Sequence, residues 1–222
     1  MSYHTKVSTF FTEDERERIK VATIEVEART IGEVATVMVD RSSEYRDAEI
    51  VGGVFVGSLV GLVLSVLFFH ASVWAFIPFA FICFFPAQFM FRNVPVLKRP
   101  FLSKTRRELA VKERALKAFY DRGLYRTKKH TGVLFFLSLL ERKVWVIADK
   151  GILGKIHQQT LNKFANVVST GIKGGRACDA LCEAIAEMGE LLWEYYPITD
   201  SDVDELPNGV MLERGGTDRD TV

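Results

Sequence analysis

The sequence predicts an α/β protein: a small three-layer α/β/α sandwich that is interrupted by a two-helix transmembrane hairpin. Three observations lead to this class. Two uncharged segments of membrane-spanning length follow each other closely, three short runs are rich in β-branched or other apolar residues, and amphipathic helical patterns surround those runs. The predicted order is helix, strand, membrane hairpin, helix, strand, strand, helix, helix, which places the hairpin in the first crossover.

The first helix is predicted by a capping box, in which Thr12 is the N-cap and Glu15 reaches back to it. Its apolar stripe consists of Ile19, Ala22 and Val26, and the pattern stops before Gly32. The run at residues 33–39 (EVATVMV) then predicts a strand. Because apolar residues fall on both of its faces, we expect this strand to be covered on two sides.

The membrane hairpin is predicted at residues 51–91, as two segments at residues 51–69 and 73–91 that carry no charged side chain. Each segment has about 19 residues, close to the ~20 that cross a hydrocarbon core. The three residues between them leave room only for a turn, so the segments form an antiparallel pair. A buried hairpin in a soluble core is the alternative, but a domain of this size rarely buries two helices that are apolar on every face.

One face of the first segment carries small residues at a four-residue spacing, namely Gly53, Gly57 and Gly61. Such spacing allows helices to approach closely in lipid. The expected partners are therefore the bilayer, other membrane proteins, or the chain itself, because the sequence leaves open whether this face packs on the second segment or on another copy. Pro78 and Pro86 predict kinks in the second segment.

Basic residues flank the hairpin and are missing from its turn. They are Arg41 and Arg46 before it and Arg92, Lys98, Arg99, Lys104, Arg106 and Arg107 after it. The positive-inside rule predicts a multi-pass protein of the cell (inner) membrane, with the soluble domain and both termini in the cytoplasm. The basic run at residues 92–107 also suits anionic lipid headgroups. The first twenty residues lack an apolar h-region, so we expect the start of the chain not to be exported.

The second soluble part begins with an amphipathic helix at residues 103–120, whose apolar face is predicted to contain Leu109, Leu116 and Phe119. Residues 133–140 (VLFFLSLL) and 144–148 (VWVIA) predict two strands that pair as a hairpin. Two helices follow, at about residues 153–168 and 175–195, so the discontinuous α/β domain covers residues 10–40 and 103–195. The acidic tail, residues 197–222, is predicted to be extended and partly disordered.

Composition excludes some function classes. The 29 basic and 28 acidic residues give a net charge of +1, so no electrostatic drive favours nucleic acid, and we expect no nucleic-acid partner. Three cysteines do not suggest a disulfide framework. Cys178 and Cys182 share one helical face, either as two core residues or as a metal or redox pair, although no further Cys or His nearby completes a zinc site.

A candidate metal site follows from the direction of the chain. The first strand heads towards the membrane and runs parallel to the second. Glu33, Asp121, Thr131 and Asp149 are therefore expected at the membrane-distal end of the sheet, and Asp40 at the other end, on the order of 20 Å away. Asp149 with Asp121 or Glu33 is predicted to bind a hard cation such as Ca²⁺ or Mg²⁺, which prefer oxygen ligands. The alternative is that both aspartates are ordinary turn residues.

No catalytic or cofactor-binding residue is predicted. His130 and His157 have no Ser or Cys beside them in a recognisable nucleophile motif. The glycines at residues 171–175 lack the spacing of a phosphate-binding loop and follow a helix rather than a strand. His130 precedes a strand and is expected at the same end as Asp149, or else as a plain surface residue.

Three short segments, in the same order along the chain, resemble the TPM domain family. They are residues 27–34 (EARTIGEV), 131–134 (TGVL) and 149–152 (DKGI). The resemblance covers residues 10–40 and 103–195, and the hairpin is an insertion that looks like that of a membrane-bound branch of the family. It implies an α/β/α sandwich, divalent-metal binding in some members and an acid phosphatase activity in at least one, while other members look like assembly or repair factors.

Two functions are therefore expected from the sequence. The first is a membrane-anchored TPM-domain protein that acts as an interaction, assembly or maintenance factor for a membrane protein complex. The alternative is a divalent-metal-dependent phosphatase tethered to the membrane. Whether the chain is an enzyme at all stays open at this point, because only the resemblance points to phosphatase activity.

Overall fold

The computed structural model describes residues 7–69, 72–127, 129–198 and 209–213, apart from the side chains of residues 95, 96 and 99. The chain divides into two compact units. Residues 44–107 belong to the smaller unit, and the described residues of 7–43 and 108–213 belong to the larger unit. The larger unit is a mixed α/β structure, and the smaller unit is helical.

A four-stranded mixed sheet forms the centre of the larger unit, with strand order β3-β2-β1-β4. The strands are β1 (Glu33–Val39), β2 (Gly132–Ser138), β3 (Lys143–Ala148) and β4 (Val210–Glu213). β1 runs parallel to both β2 and β4, whereas β2 and β3 are antiparallel. Every residue of β1 and β2 is buried, as expected for central strands with apolar residues on both faces. The predicted β-hairpin of β2 and β3 and the predicted parallel pairing of the first two strands, β1 and β2, are confirmed.

The described residues contain seven α-helices. These are α1 (Glu13–Glu27), α2 (Arg46–Phe69), α3 (Val73–Asn93), α4 (Lys104–Asp121), α5 (Lys150–Leu153), α6 (Gln158–Lys173) and α7 (Ala177–Tyr195). The predicted capping box of α1 is present in full, because the Thr12 side chain accepts from the Glu15 N–H and the Glu15 carboxylate accepts from the Thr12 N–H.

Two apolar clusters hold the larger unit together, and alternate residues of β1 contribute to each. Val34 and Met38 belong to the cluster that contains residues of α1, α6 and α7. Ala35 and Val37 belong to the cluster that contains residues of α4. Because successive side chains of a strand point to opposite faces, β1 has one apolar face towards α1, α6 and α7 and another towards α4.

The predicted apolar face of the helix after the hairpin is partly wrong. Phe119 is buried, but Leu109 and Leu116 are exposed. The buried face of α4 consists instead of Val111, Ala115, Ala118 and Phe119. Small alanines lie against the sheet because they let the helix approach it closely, and a pattern weighted towards large side chains missed them.

Two further expectations change at the C-terminal side. The helix predicted at residues 153–168 is split, because α5 ends at Leu153 and α6 begins only at Gln158. The tail was not expected to contain a strand, yet β4 pairs with β1. Its four residues are too short for a recognisable pattern, and only the free edge of β1 defines them as a strand. The predicted disorder of the tail concerns residues 199–208 and 214–222, which lie outside the described residues.

The smaller unit is built on the pairing of α2 with α3, two helices that are long and apolar enough to cross a membrane. The predicted segment bounds fall inside them. Their outward surfaces expose large apolar side chains along the length of both helices, such as Phe55, Leu67, Trp74, Phe81 and Phe89. An exposed apolar surface of this extent marks a site of interaction with a membrane or with another protein.

The glycine row of α2, which consists of Gly53, Gly57 and Gly61, lies against α3. A Cβ at Gly57 would be 2.8 Å from the Phe84 Cα, and one at Gly61 would be 2.6 Å from the backbone nitrogen of Ala80. Glycine is needed at both positions because backbone atoms of α3 occupy the space of a side chain. Of the two uses that the sequence left open for this row, the structure shows packing within the hairpin.

A 3₁₀ helix at Pro95–Phe101 follows α3 and contains a buried charge. Lys98 is only 1% exposed and donates to a Glu49 carboxylate oxygen at 2.5 Å and to the Glu44 carbonyl at 3.0 Å. Lys98 therefore does not contact lipid headgroups, in contrast to the prediction for the whole basic run. The number and position of basic residues in the sequence do not distinguish the buried Lys98 from the exposed basic residues of the same run.

Candidate functional site

The predicted site residues Glu33 and Asp149 lie at the same end of the sheet, on either side of β2. Glu33 pairs with Gly132 in the parallel register of β1 and β2. The Asp149 N–H donates to the Gly132 carbonyl at 2.9 Å, directly after β3. Asp40 follows the other end of β1, beside the end of β2, so the predicted separation of Asp40 from Asp149 agrees with the register.

Asp149 is the N-cap of the short helix α5, and its side chain is only 12% exposed. One carboxylate oxygen accepts from the Lys150 N–H at 2.6 Å. The other lies 3.0 Å from Nδ1 of His130. Both oxygens thus have a partner, and a charged carboxylate at a helix N-terminus is in a favourable position.

His130 occupies an unusual backbone conformation beside Asp149. Its φ is 56°, in the left-handed region that Gly adopts freely and that Asn, Asp and His enter more often than other residues do. The ring is 40% exposed, so one side faces solvent while Nδ1 faces Asp149. The contact between a half-exposed imidazole and a largely buried carboxylate makes the His130–Asp149 pair the most chemically distinctive feature of this end.

The loop that carries His130 packs on Gly151 at the start of α5. A Cβ at Gly151 would be 2.4 Å from the His130 carbonyl oxygen and 2.7 Å from that of Lys129. The Tyr196 hydroxyl donates to the Gly151 carbonyl at 2.7 Å. Because backbone atoms crowd Gly151 on one side and Tyr196 holds it on the other, the position of Asp149 relative to His130 is fixed.

Buried threonines connect the same end of the sheet to the last turn of α7. The Thr131 hydroxyl donates to the Ile31 carbonyl at 2.9 Å, and its N–H donates to the Thr127 hydroxyl at 3.0 Å. The Thr30 hydroxyl donates to the Tyr196 carbonyl at 2.6 Å. Thr131, directly before β2, is thus hydrogen-bonded to Ile31, which lies shortly before β1.

The acidic side chains at this end differ in their surroundings. Glu33 is 7% exposed at the start of β1, and nearby Glu27 accepts from the Val34 N–H at 3.0 Å. Asp121 ends α4 with its side chain exposed to solvent. Across the residues with described positions, no three Asp, Glu, His or Cys side chains converge in a way that could hold a metal ion. Metal binding by Asp149, Asp121 and Glu33 therefore stays a prediction.

A second polar cluster, which the sequence did not reveal, lies at the opposite end of the sheet. Glu141 is 4% exposed and accepts from the Ser42 N–H at 3.1 Å and from the Ser138 hydroxyl. The Ser42 hydroxyl donates to the Ser138 oxygen at 2.9 Å. Glu141 lies in the short turn between β2 and β3. Its burial follows from the parallel pairing of β1 and β2, which brings the loop after β1 over the end of β2.

The cysteines of α7 are two packed residues rather than an exposed pair. Cys178 is 2% exposed, and its thiol lies 3.6 Å from the Glu15 carbonyl oxygen. Burial raises the pKa of Cys178, and burial together with the neighbouring Cys178 raises the pKa of Cys182 to about 12. A raised pKa reduces the thiolate fraction, so neither thiol is activated as a nucleophile.

Comparisons with known proteins give one structural neighbour and no family. The fold is similar to the NMR structure of the BA42 protein from the psychrophilic bacterium Bizionia argentinensis, with a TM-score of 0.59 and 19% sequence identity. The match covers 94% of this chain and 99% of the other. No protein-family model and no curated protein sequence matches the chain. At this level of identity the likeness concerns the fold alone.

Proposed function

We propose that this chain is a membrane-anchored TPM-type protein whose α/β unit acts as an interaction, assembly or maintenance factor for a membrane protein complex. In this proposal the larger unit is a three-layer α/β/α sandwich of TPM type. The two apolar clusters on opposite faces of β1 support the layered arrangement, and the order of the motifs at residues 27–34, 131–134 and 149–152 supports the family.

The α2–α3 pair is the proposed anchor. Its glycine row brings the two backbones together and leaves large apolar side chains on the outside, which is the arrangement expected of a hairpin in lipid. Exposing so many large apolar side chains to water would instead favour aggregation. The basic residues on the outer flanks support an orientation with both soluble parts in the cytoplasm.

One observation carries the interaction role: a half-exposed tryptophan is held in place on the surface of the larger unit. Trp193 is 50% exposed, and the Arg29 guanidinium lies 4.9 Å from its ring centroid. Arg29 also pairs with Glu190 at 2.7 Å, and its carbonyl accepts from the N–H of Ile198, which is 50% exposed. Trp and Arg are the residues most often found at the energetic centres of protein interfaces.

Site-specific photocrosslinking in native membranes tests this proposal. A photoreactive phenylalanine analogue at position 193 is expected to capture a discrete membrane protein. The same analogue at the exposed position 155 serves as the control and is expected to give no such product. A chain that stays in the membrane but crosslinks to nothing at position 193 contradicts the interaction role.

The alternative function is a metal-dependent phosphatase at the His130–Asp149 end of the sheet. The specific observation in its favour is that His130 contacts Asp149 at 3.0 Å, at the end of the sheet where Glu33 also lies. Calorimetric titration of the full chain in detergent with Ca²⁺ or Mg²⁺ tests it. Saturable binding that Asp149→Asn abolishes supports this function, and a folded chain that binds neither cation contradicts it.

A further inference from the structure

The edge of β1 is covered by a strand that fits it imperfectly. β4 contributes only four residues, and Thr36, Val37, Met38 and Val39 of β1 pair with them in parallel register. None of the β4 residues is fully buried. Residues 199–209 separate β4 from Ile198, so a released β4 would stay tethered to the chain by about 36–40 Å of backbone at full extension.

One buried polar group opposite β4 has no partner. Thr36 is 2% exposed, and its hydroxyl makes no hydrogen bond with any residue whose position is described. Thr36 pairs with Val210, so the two side chains point to the same face of the sheet. Valine cannot accept or donate a hydrogen bond, and a buried hydroxyl without a partner is unfavourable.

The last residue of β4 is held by charge. The Glu213 carboxylate pairs with Arg114 at 2.8 Å and with Arg122 at 2.5 Å, and its side chain is 19% exposed. Both arginines come from α4 or the residue directly after it. The Nε of Arg122 is buried and has no hydrogen-bond partner within the described part of the chain. Arg122 therefore has donor capacity that Glu213 does not use.

From these mismatches we propose that β4 is an exchangeable cover and that the β1 edge is a docking site for an extended segment of a partner protein. The partner segment adds to the sheet in parallel, as β4 does. It carries a hydroxyl or amide side chain opposite Thr36, an apolar residue opposite Val37 and a carboxylate opposite Val39. Backbone hydrogen bonds along the strand supply affinity, and the side chains supply specificity.

This docking site gives the interaction role proposed above a specific partner chemistry, and it rests on that role. An exposed strand edge invites aggregation, which explains why the chain covers the edge itself when no partner is present. A cover that leaves the Thr36 hydroxyl unsatisfied is easier to displace than a segment that satisfies it. A partner segment with a hydrogen-bonding side chain opposite Thr36 is therefore expected to bind the β1 edge more favourably than β4 does.

Peptide binding to the full chain in detergent tests the proposal. The probe is a fluorescent peptide with the sequence of residues 208–215 and the change Val210→Thr, measured by anisotropy. Glu213→Gln in the protein removes the charge that holds β4, so the peptide is expected to bind this variant about tenfold more tightly than the unsubstituted chain. Glu187→Gln, an exposed carboxylate on α7, is the matched control and should leave the affinity unchanged.

A second set of variants checks the predicted contacts. Arg114→Gln, added to the Glu213→Gln chain, should weaken peptide binding about tenfold, whereas Lys117→Gln, which removes one positive charge from an exposed position of the same helix, should not. The peptide with valine opposite Thr36 should bind more weakly than the threonine peptide. Met211→Asp in the protein disfavours β4 by a second route, because it places a charge against the apolar cluster on which Met211 packs, and should also increase peptide affinity.

Several results would overturn the docking site. Equal peptide affinity for the unsubstituted, Glu213→Gln and Met211→Asp chains would show that β4 does not compete. Peptide binding that is unaffected by Arg114→Gln would contradict the proposed contacts. A Glu213→Gln chain that dimerises and does not bind the peptide would show that the occupant of the β1 edge is a second copy of this chain. The Trp193 crosslink tests a different surface. A crosslink at position 193 together with no peptide binding would therefore contradict the docking site but not the interaction role.

Discussion

Lys98 Nζ lies 2.5 Å from Glu49 Oε1, and this ion pair joins the residues that precede the apolar hairpin to those that follow it. The Lys98 side chain is 1% exposed and the Glu49 side chain 15%. Lys98 also donates to the Glu44 carbonyl at 3.0 Å. The first turn of α2 and the 3₁₀ helix after α3 are therefore held together at the base of the hairpin by one buried ammonium group.

We expect Lys98→Met to destabilise the smaller unit by about 3–5 kcal/mol, because it leaves the Glu49 carboxylate buried without its partner. Chemical unfolding of the detergent-solubilised chain measures this. Arg46→Gln is the control, since Arg46 pairs with Glu44 at the surface and should cost at most about 1 kcal/mol. Adding Glu49→Gln to Lys98→Met should recover part of the loss. Equal effects of Lys98→Met and Arg46→Gln would contradict the buried pair.

We expect Gly57→Leu to separate α2 from α3. The new Cβ would start 2.8 Å from the Phe84 Cα, and a backbone atom cannot move aside as a flexible side chain can. Overpacking of this kind typically costs about 1–3 kcal/mol. The fall in melting temperature in detergent measures it. Val63→Leu, on the half-exposed side of the same helix, is the control, and a comparable fall in that variant would mean that the glycine row is not the packed face.

We expect Asp149→Ala and Asp149→Asn to have different effects on stability. Alanine removes both the cap of α5 and the contact with His130, which should cost about 0.5–2 kcal/mol, whereas asparagine still caps the helix. Denaturant unfolding of both variants measures the difference. If asparagine proves as costly as alanine, the charge on Asp149 matters more than the cap.

We expect Gly151→Ala to be strongly destabilising and Gly174→Ala to be nearly neutral. The new Cβ at position 151 would meet two backbone carbonyls within 3 Å, whereas at position 174 the nearest atom is 3.5 Å away. The first variant should therefore displace His130 from Asp149 and broaden the His130 resonances in an NMR spectrum. An unchanged His130 environment in Gly151→Ala would show that the loop is not fixed by this contact.

We expect stability to fall between about pH 9 and pH 12 in part because of Cys182. Burial raises the pKa of this thiol from 9.0 to about 12, so in this range the unfolded chain has lost the thiol proton while the folded chain keeps it. The unfolding free energy contributed by Cys182 is fully present below pH 9 and is lost as the pH rises. Cys182→Ala should therefore show a shallower decline of melting temperature with pH. A decline as steep as in Glu187→Gln, an exposed control on α7, would contradict this.

Local patterns in the sequence predicted much of the fold. The Thr12–Glu15 capping box, the β1 run and the β2–β3 hairpin depend on residues that are close in the chain, and each is present in the structure. The two apolar segments correspond to α2 and α3 for the same reason, because length and hydropathy are local properties. The shared end of the sheet for Glu33 and Asp149 followed from strand direction alone.

Contacts between distant residues decided the rest. β4 is a strand because the edge of β1 supplies its hydrogen-bond partners, and the four residues alone carry too little pattern. Glu141 and Lys98 are buried because chain segments far away in sequence cover them, whereas their neighbours in sequence suggested exposure. The pairing of His130 with Asp149 likewise depends on the packing of a loop against Gly151. The sequence by itself thus determined most of the elements and their order, but not β4. Only the tertiary structure decided which charges and hydroxyls are buried, because burial depends on segments that meet through folding.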